Sequence, residues 1–228
     1  MQELKPRLRM VYESVPINSV VADIGTDHAF LPIVLINGGK ATKVIACDIN
    51  EGPLSVAAKN VQNAGVNNIE LRLSDGLEKV TPGEVDVVTV AGMGGDLISG
   101  IISKAKWLKE YKTTLILQPM SSADSLREGL YKEGYSIISE KAVEDSGRIY
   151  SVIVAVFGGA PRELTPTKKY IGELDKDLSD AATKYISGQL FRISECIKNI
   201  EGVERRRELY LEMCEAEKGI KEILTKRR

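Results

Sequence analysis

The stretch "YSIISEKAVEDSGRIYSVIVAVFG", residues 135–158, contains two apolar runs separated by a short polar link. The runs "YSIISEKAV" at 135–143 and "SVIVAVFG" at 151–158 are rich in β-branched residues, which pack well on a pleated surface. Only antiparallel strands can be joined by a link as short as "EDSGR", because a parallel crossover needs a dozen or more residues. The segment therefore predicts an antiparallel hairpin.

Upstream of this hairpin, short apolar runs alternate with longer amphipathic stretches, which is typical of a parallel sheet covered by helices. Strands are expected near 20–25 and at 43–48, 69–75, 85–92 and 113–119, and helices at about 29–37, 52–64, 95–106 and 121–132. Five β/α units followed by an antiparallel pair is the element order of the class I methyltransferase fold. We therefore expect an α/β, Rossmann-like sheet of seven strands with the last one antiparallel.

The chain changes character after "GGAPRELTP" at 158–166, since no further strand pattern follows. Apolar residues recur there at spacings of three and four, which favours two long helices packed as a coiled-coil hairpin that turns near 199–202. The apolar residues of the first predicted helix are Ile171, Leu174, Leu178, Ala181 and Tyr185, and those of the second are Leu209, Met213, Ala216, Ile220 and Ile223. A three-helix version stays open if Gly188 splits the first helix. We expect a methyltransferase domain at 1–160 and a helical coiled-coil domain at 161–228.

Composition restricts the classes of partner and compartment. The 228 residues carry a formal net charge of -1, so any surface for nucleic acid must be a local patch. The amino terminus "MQELKPRLRMVYESVP" lacks the apolar core of a signal peptide, and no apolar run is long enough for a membrane span, so we expect a cytoplasmic protein. Its three cysteines are far apart and form no Cys/His cluster, so we expect neither a disulfide framework nor a metal site.

The turn after the first strand, "GTDHAF" at 25–30, argues against ligands that carry phosphate. A dinucleotide turn reads GxGxxG, because backbone must approach a pyrophosphate, and a P-loop needs a GK[ST] ending. Here Asp27 occupies the second glycine position, where its carboxylate would repel a phosphate. S-adenosylmethionine carries no phosphate, has a cationic sulfonium and has an amino group that needs an acceptor. It is therefore the expected cofactor.

Ligands of open parallel sheets bind outside the carboxyl ends of the strands, and three of the first four predicted strands end in an acid. We expect Asp48 to accept the ribose hydroxyls, Asp75 to accept the adenine amino group, and Asp23 to hold the turn or the amino end of the methionine. Gly25 would allow close backbone approach. Each acid has the alternative role of capping a helix. The full expected cofactor set is Asp23, Gly25, Thr26, Asp48, Ile49, Asp75, Gly76, Ala91, Gly92 and Met93.

Two further segments lie where a target base would enter. "AGMGG" at 91–95 has few side chains, so its backbone can approach a flat ligand, although close helix–sheet packing is the alternative. "LQPM" at 117–120 follows the fifth strand, where Gln118 would read the edge of a base and Pro119 or Met120 would pack on its face. An ordinary strand-to-helix turn is the competing explanation for that segment.

Together, "VADIGTDHAFLP" at 21–32, "DGLE" at 75–78, "AGMGG", "LQP" and "GRIYSVIVA" at 147–155 resemble the bacterial tRNA (adenine-22 N1)-methyltransferase family. The resemblance spans nearly all of residues 1–160, and it departs from the expected pattern at Met120, where we expect asparagine. It implies methyl transfer from S-adenosylmethionine to N1 of an adenosine in the D-arm region of tRNA. Alternatives are a methyltransferase of another RNA, a protein or a small molecule, and a non-catalytic, cofactor-binding interaction module.

The resemblance and the chemistry together assign substrate-facing roles. Asp27 is the catalytic candidate, because a carboxylate that accepts from the exocyclic amine would stabilise the positive charge of the methylated base. His28 would contact substrate, although a lone histidine is more often structural. RNA contacts are expected from the amino-terminal helix and the closing hairpin, at Arg7, Arg9, Arg148 and Tyr150, each of which has ordinary surface exposure as its alternative. We expect a monomer.

Overall fold

The computed structural model describes residues 4–227. Its sheet has seven strands in the order β3-β2-β1-β4-β5-β7-β6. The strands are β1 (Ser19–Ile24), β2 (Ala41–Asp48), β3 (Ile69–Leu73), β4 (Val87–Gly94), β5 (Thr114–Ser121), β6 (Tyr135–Asp145) and β7 (Arg148–Phe157). Strands β1 to β5 pair in parallel, whereas β7 runs antiparallel to both β5 and β6. The predicted class I methyltransferase sheet is therefore confirmed.

Helices cover both faces of this sheet. They are α1 (Pro6–Ser14), α2 (Phe30–Asn37), α3 (Glu51–Ala64), α4 (Gly95–Lys104), α5 (Trp107–Glu110), α6 (Ala123–Lys132), α7 (Pro166–Ile171), α8 (Asp180–Ile200) and α9 (Arg207–Lys226). Successive strand residues point to opposite faces. Val21 accordingly packs with α1 and α2, while its neighbour Ala22 belongs to the cluster formed with α4 and α6. Burial on both faces explains why the central strands are almost continuously apolar.

The closing hairpin is tighter than its sequence suggested. Strands β6 and β7 extend into the predicted link and leave only Ser146 and Gly147 between them. Both residues have positive φ, at 52° and 74°, as a type I′ turn requires. This turn matches the twist of the strands and lets pairing continue to Asp145 and Arg148.

The carboxyl-terminal helices differ from the prediction at the start of the first helix. Helix α7 ends at Ile171, and α8 begins only at Asp180, so one predicted helix is two. The break follows Gly172, where a Cβ would lie 1.8 Å from the Glu140 carboxylate, so this backbone packs directly on β6. Leu178, which we expected in the helix interface, is 84% exposed.

The rest of the helical prediction agrees with the structure. Helix α8 continues through Gly188 without a split, so the three helices arise from the break between α7 and α8 and not from Gly188. It ends at Ile200 and the chain turns at Gly202, as the turn signal indicated, before α9 packs back against α8. The cluster between these helices also includes Ala142 of β6. The division into domains at residue 160 stays a prediction.

Residues 4–227 contain neither a membrane-spanning helix nor a cluster of metal ligands. In that part of the chain, no helix is long and apolar enough to cross a membrane. The same residues contain no group of three or more His, Cys, Asp or Glu side chains placed to hold a metal ion.

Candidate functional site

A cleft of about 460 Å³ opens at the carboxyl ends of β1, β2, β3 and β4. All ten residues of the expected cofactor set line it, together with Asp27, His28 and Arg7. The convergence follows from the topology, because parallel strands present the loops after their carboxyl ends along one edge of the sheet. The cleft is the candidate active site.

The turn after β1 forms one wall of this cleft. Backbone N–H groups of Gly25 and Thr26 both donate to the Cys47 carbonyl at 2.9 Å, which folds the turn over β2. Gly25 has φ 73°, and a Cβ there would lie 2.2 Å from Met93 Cε. Asp27 also has positive φ, at 54°, which costs a non-glycine residue roughly 1–2 kcal/mol. Strained backbone of this kind concentrates at functional sites.

Asp48 orders the same turn from the end of β2. Its Oδ2 accepts from the backbone N–H of Asp27 at 3.1 Å, and its Oδ1 accepts from the N–H of Asn50 at 3.0 Å. A carboxylate offers about four acceptor sites, so both oxygens can still accept from hydroxyl groups. The side chain is therefore fixed by backbone contacts and keeps the capacity to bind a diol.

Asp23 lies at the buried floor of the cleft. Thr89 donates its hydroxyl to Asp23 Oδ1 at 2.6 Å. Burial raises the pKa of Asp23, and the hydrogen bond from Thr89 offsets this only in part. The hydroxyl of Thr26 is also buried, and it makes no hydrogen bond of normal geometry to any of residues 4–227. A cationic ligand group at this floor would favour the ionised carboxylate, since an opposite charge lowers the pKa of an acid.

The remaining acids lie at the mouth of the cleft. The Asp27 side chain is 67% exposed, and its Oδ1 lies 3.4 Å from His28 Nε2. The His28 ring stacks on Phe30 at 5.5 Å between centroids. Asp75 is also exposed, and Lys104 Nζ lies 3.8 Å from its Oδ2. Both carboxylates are thus open to a ligand, and His28 has a structural contact that accounts for its position.

The expectation that Gln118 reads the edge of a base stays a prediction, and the structure shows the contacts that this side chain makes within the protein. Its side chain is fully buried. Its Oε1 accepts from Arg7 Nη1 at 3.0 Å and from the N–H of Gly92 at 3.1 Å, while its Nε2 donates to the Pro119 carbonyl at 2.9 Å. The amide is therefore used within the protein and holds helix α1 against the carboxyl end of β4.

The two arginines of α1 have different surroundings. Arg7 lines the cleft, and its Nε lies 3.3 Å from Asp145 Oδ2 in the closing hairpin. Arg9 does not line the cleft. Its side chain is 62% exposed and pairs with Glu13 on the same helix. The structure thus brings Arg7 to the site and leaves Arg9 on the outer surface.

The other expected substrate residues line a second depression, which we call the interhelical groove. Pro119, Arg148 and Tyr150 border it, and it encloses about 630 Å³ between the β5–α6 turn, the β6–β7 hairpin and the face of α8. The groove is larger than the cleft but holds none of the three strand-end acids. We therefore assign the chemistry to the cleft.

Sequence reasoning missed several residues at the cleft, of which Thr89 and Leu97 are two. Thr89 supports Asp23, and Leu97 lines the rim with an exposed apolar side chain. The sequence does indicate Leu97, because α4 begins at the last glycine of "AGMGG" and its first turn must face the ligand edge. No sequence signal indicates Thr89, since threonine is an ordinary residue inside a strand.

Comparison with known proteins identifies the family. A family model described as a methyltransferase domain matches residues 4–153. A Bacillus subtilis (strain 168) protein named tRNA (adenine(22)-N(1))-methyltransferase is 45% identical over 161 residues, which is 69% of this chain and 68% of that protein.

Solved structures agree over nearly the whole chain. The crystal structure of the B. subtilis M1A22 tRNA methyltransferase TrmK has a TM-score of 0.84 and 33% identity, over 98% of this chain and 100% of that one. A Streptococcus pneumoniae putative tRNA (m1A22) methyltransferase, in complex with S-adenosyl-L-methionine, has a TM-score of 0.80 and 31% identity, over 96% and 98%. On this evidence, the chain belongs to the bacterial tRNA (adenine(22)-N(1))-methyltransferase family.

Proposed function

We propose that this protein transfers a methyl group from S-adenosylmethionine to N1 of an adenosine in the D-arm region of tRNA, at position 22 as in the named relatives. The observation that carries the proposal is the meeting of all ten expected cofactor residues in one cleft, under a turn whose Asp27 disfavours phosphate. The names of the relatives supply the nucleotide position, which no residue of the cleft encodes by itself.

The residues of the cleft fit S-adenosylmethionine by their chemistry. Asp48 has free acceptor sites for the two ribose hydroxyls, and the buried Asp23 floor suits a cationic amino group. Asp75 is exposed and able to accept from the adenine amino group. Ile49 and Leu97 expose apolar side chains in the cleft that a purine ring would cover.

The chain's own groups have a limited task in this reaction. The cofactor would supply an electrophilic methyl group on a sulfonium. Adenine N1 would take that methyl with its free lone pair as the sulfur–methyl bond breaks and S-adenosylhomocysteine leaves, so no strong base is needed. Alignment of the two groups supplies much of the rate. The product base is cationic, and Asp27 stabilises that charge as it forms by accepting from the exocyclic amine.

The decisive variant is Asp27→Asn. Asparagine tolerates positive φ, so the turn keeps its backbone and the change removes only the charge. We expect kcat for tRNA methylation to fall by roughly 100-fold, the scale seen when one electrostatic contact to a transition state is lost. The affinity for S-adenosylmethionine, measured by calorimetry, should stay within about twofold, since the charge acts on the substrate.

A matched control is Glu110→Gln, which removes an exposed charge on α5 away from the cleft. If Asp27→Asn methylates like this control, the role of Asp27 is refuted while the activity stands. The activity itself is tested with labelled S-adenosylmethionine and bacterial tRNA, followed by nucleoside analysis. A folded, cofactor-binding protein that makes no 1-methyladenosine would refute the proposed function.

We also propose that the protein is a cytoplasmic monomer, and that 1–160 and 161–228 are separate domains. A tRNA substrate supports the first part, since bacterial tRNA is found in the cytoplasm. Light scattering on the purified chain tests the monomer, and a dimeric mass would refute it. Limited proteolysis tests the boundary near residue 160.

A further inference from the structure

Helix α8 presents an unusual row of residues to the interhelical groove. Lys184, Gly188 and Arg192 are four residues apart, so they lie on one helix face, and all three line the groove. Glycine inside a helix costs about 1 kcal/mol relative to alanine. A Cβ on Gly188 would meet no atom within 4 Å, so packing does not require glycine there. Gly188 therefore leaves open space between two cations.

The cations around this space are available to a ligand. Within residues 4–227, neither Arg148 nor Arg192 makes a side-chain hydrogen bond or an ion pair. Lys184 pairs with Glu144 at 2.9 Å, but both side chains are more than half exposed and such a pair contributes little. Asp124 is the acid that lines the groove against these three cations. The balance of charge favours an anionic ligand.

A buried polar group points to the same ligand site. Ser151 is 1% exposed and lines the groove, and its hydroxyl has no hydrogen-bond partner in the part of the chain that the structure describes. A buried hydroxyl without a partner costs roughly 1–3 kcal/mol. Beside it, Tyr150 also lines the groove and is partly exposed. A ligand with hydroxyl or phosphate oxygens would satisfy the Ser151 hydroxyl.

From these contacts we infer that the interhelical groove is a second RNA subsite, which seats the sugar–phosphate backbone next to the target nucleotide. The backbone crosses α8 at Gly188, where the missing side chain allows close approach, and its phosphates meet Lys184, Arg192 and Arg148. The two cations of α8 are about 12 Å apart along the helix, a span with room for more than one phosphate.

The subsite rests on the proposed function for the identity of its ligand, and it adjoins the cleft. Gln118 contacts Gly92, which lines the cleft, and Met120, which lines the groove, so one buried side chain joins the two walls. A nucleotide flanking the target adenosine would therefore lie in the groove while the adenosine enters the cleft.

The test is Gly188→Leu, which fills the open space and also raises helix propensity, so folding is preserved. The matched control is Gly100→Leu, on α4, where a Cβ also meets no atom within 4 Å and which does not line the groove. Binding of labelled tRNA is followed by fluorescence anisotropy without cofactor. We expect Gly188→Leu to bind at least about tenfold more weakly than the control, as steric loss of phosphate contacts requires.

A second measurement does not depend on steric effects. Arg192→Ala should lower the slope of log affinity against log salt by about one unit, because one phosphate contact is lost. Lys106→Ala, an exposed cation in the α4–α5 loop, should leave the slope unchanged.

The outcomes separate the subsite from the activity. Equal tRNA affinity of Gly188→Leu and Gly100→Leu, or an unchanged slope in Arg192→Ala, would overturn the subsite even if the protein methylates tRNA. Selective loss of binding in Gly188→Leu would support the subsite even if no 1-methyladenosine forms, an outcome that refutes only the proposed function. A wild-type chain that does not bind tRNA would overturn both.

Discussion

The junction between the sheet and the carboxyl-terminal helices depends on one buried ion pair. Arg127 of α6 and Glu140 of β6 have fully buried side chains, and Arg127 Nη2 lies 2.6 Å from Glu140 Oε1. Arg127 Nη1 also donates to the backbone carbonyls of Lys169 and Tyr170, both at 3.0 Å. We predict that Arg127→Met strongly destabilises the fold, because two carbonyls lose their guanidinium donors and the buried Glu140 carboxylate keeps only the backbone N–H of Glu173.

The magnitude follows from these contacts. Removal of one partner of a buried ion pair costs about 3–5 kcal/mol, since the other charge stays buried without a counter-charge. For a chain of this length, 1 kcal/mol corresponds to roughly 2–4 °C, so the melting temperature should fall by roughly 6–20 °C. Arg127→Lys should recover only part of the loss, because an ammonium group cannot reproduce the guanidinium fork.

The assay is equilibrium denaturation in urea followed by far-ultraviolet circular dichroism. The double variant Arg127→Met/Glu140→Leu is the critical comparison, because it removes the buried charge along with its partner. It should be more stable than Arg127→Met alone by roughly 1–3 kcal/mol, the usual range for coupled neighbours. A cost below about 1 kcal/mol for Arg127→Met, or a double variant less stable than Arg127→Met, would refute this reasoning.

Three further predictions concern single residues. Gly25→Ala should weaken S-adenosylmethionine binding at least about tenfold by calorimetry, because φ 73° strains alanine and its Cβ displaces Met93; unchanged affinity would contradict this. The hydrogen bond from Arg72 lowers the pKa of Glu84 from 4.5 to about 2. The ionised Glu84 carboxylate therefore stabilises the fold above pH 4.5, and this contribution is lost as the pH falls towards 2. The melting temperature of Glu84→Gln should accordingly lie below that of the wild type above pH 4.5, and the difference should shrink over that window. Burial raises the pKa of Cys47 to about 12, so this thiol should resist alkylation at pH 8 until the chain unfolds, as mass spectrometry of the labelled peptide can show.

Much of the fold was readable from local signals. The β-branched runs, the amphipathic stretches between them and the short link before Arg148 gave seven strands in a defined order, because strand and helix periods are properties of neighbouring residues. The acids at 23, 48 and 75 and the glycine at 25 were found in the same way, since a sheet of parallel strands places its strand ends along one edge.

The tertiary structure decided what depends on distant partners. The sequence predicts that the Gln118 amide contacts a base. In the folded chain, its side-chain oxygen accepts a hydrogen bond from Arg7, which is 111 positions away. The break between α7 and α8 depends on the approach of Gly172 to Glu140, which no periodicity reveals.

The sequence by itself thus determined the class of fold, the ligand edge and the preference for a cofactor without phosphate, because these follow from local pattern and charge. Only the tertiary structure decided which polar side chains are free to act. Among residues 4–227, Arg148 and Arg192 make no side-chain hydrogen bond or ion pair, whereas the Gln118 amide has partners on both its oxygen and its nitrogen. The donors and acceptors that pair with each other are often far apart in sequence, so a side chain's hydrogen-bond partners are determined only when the chain is folded.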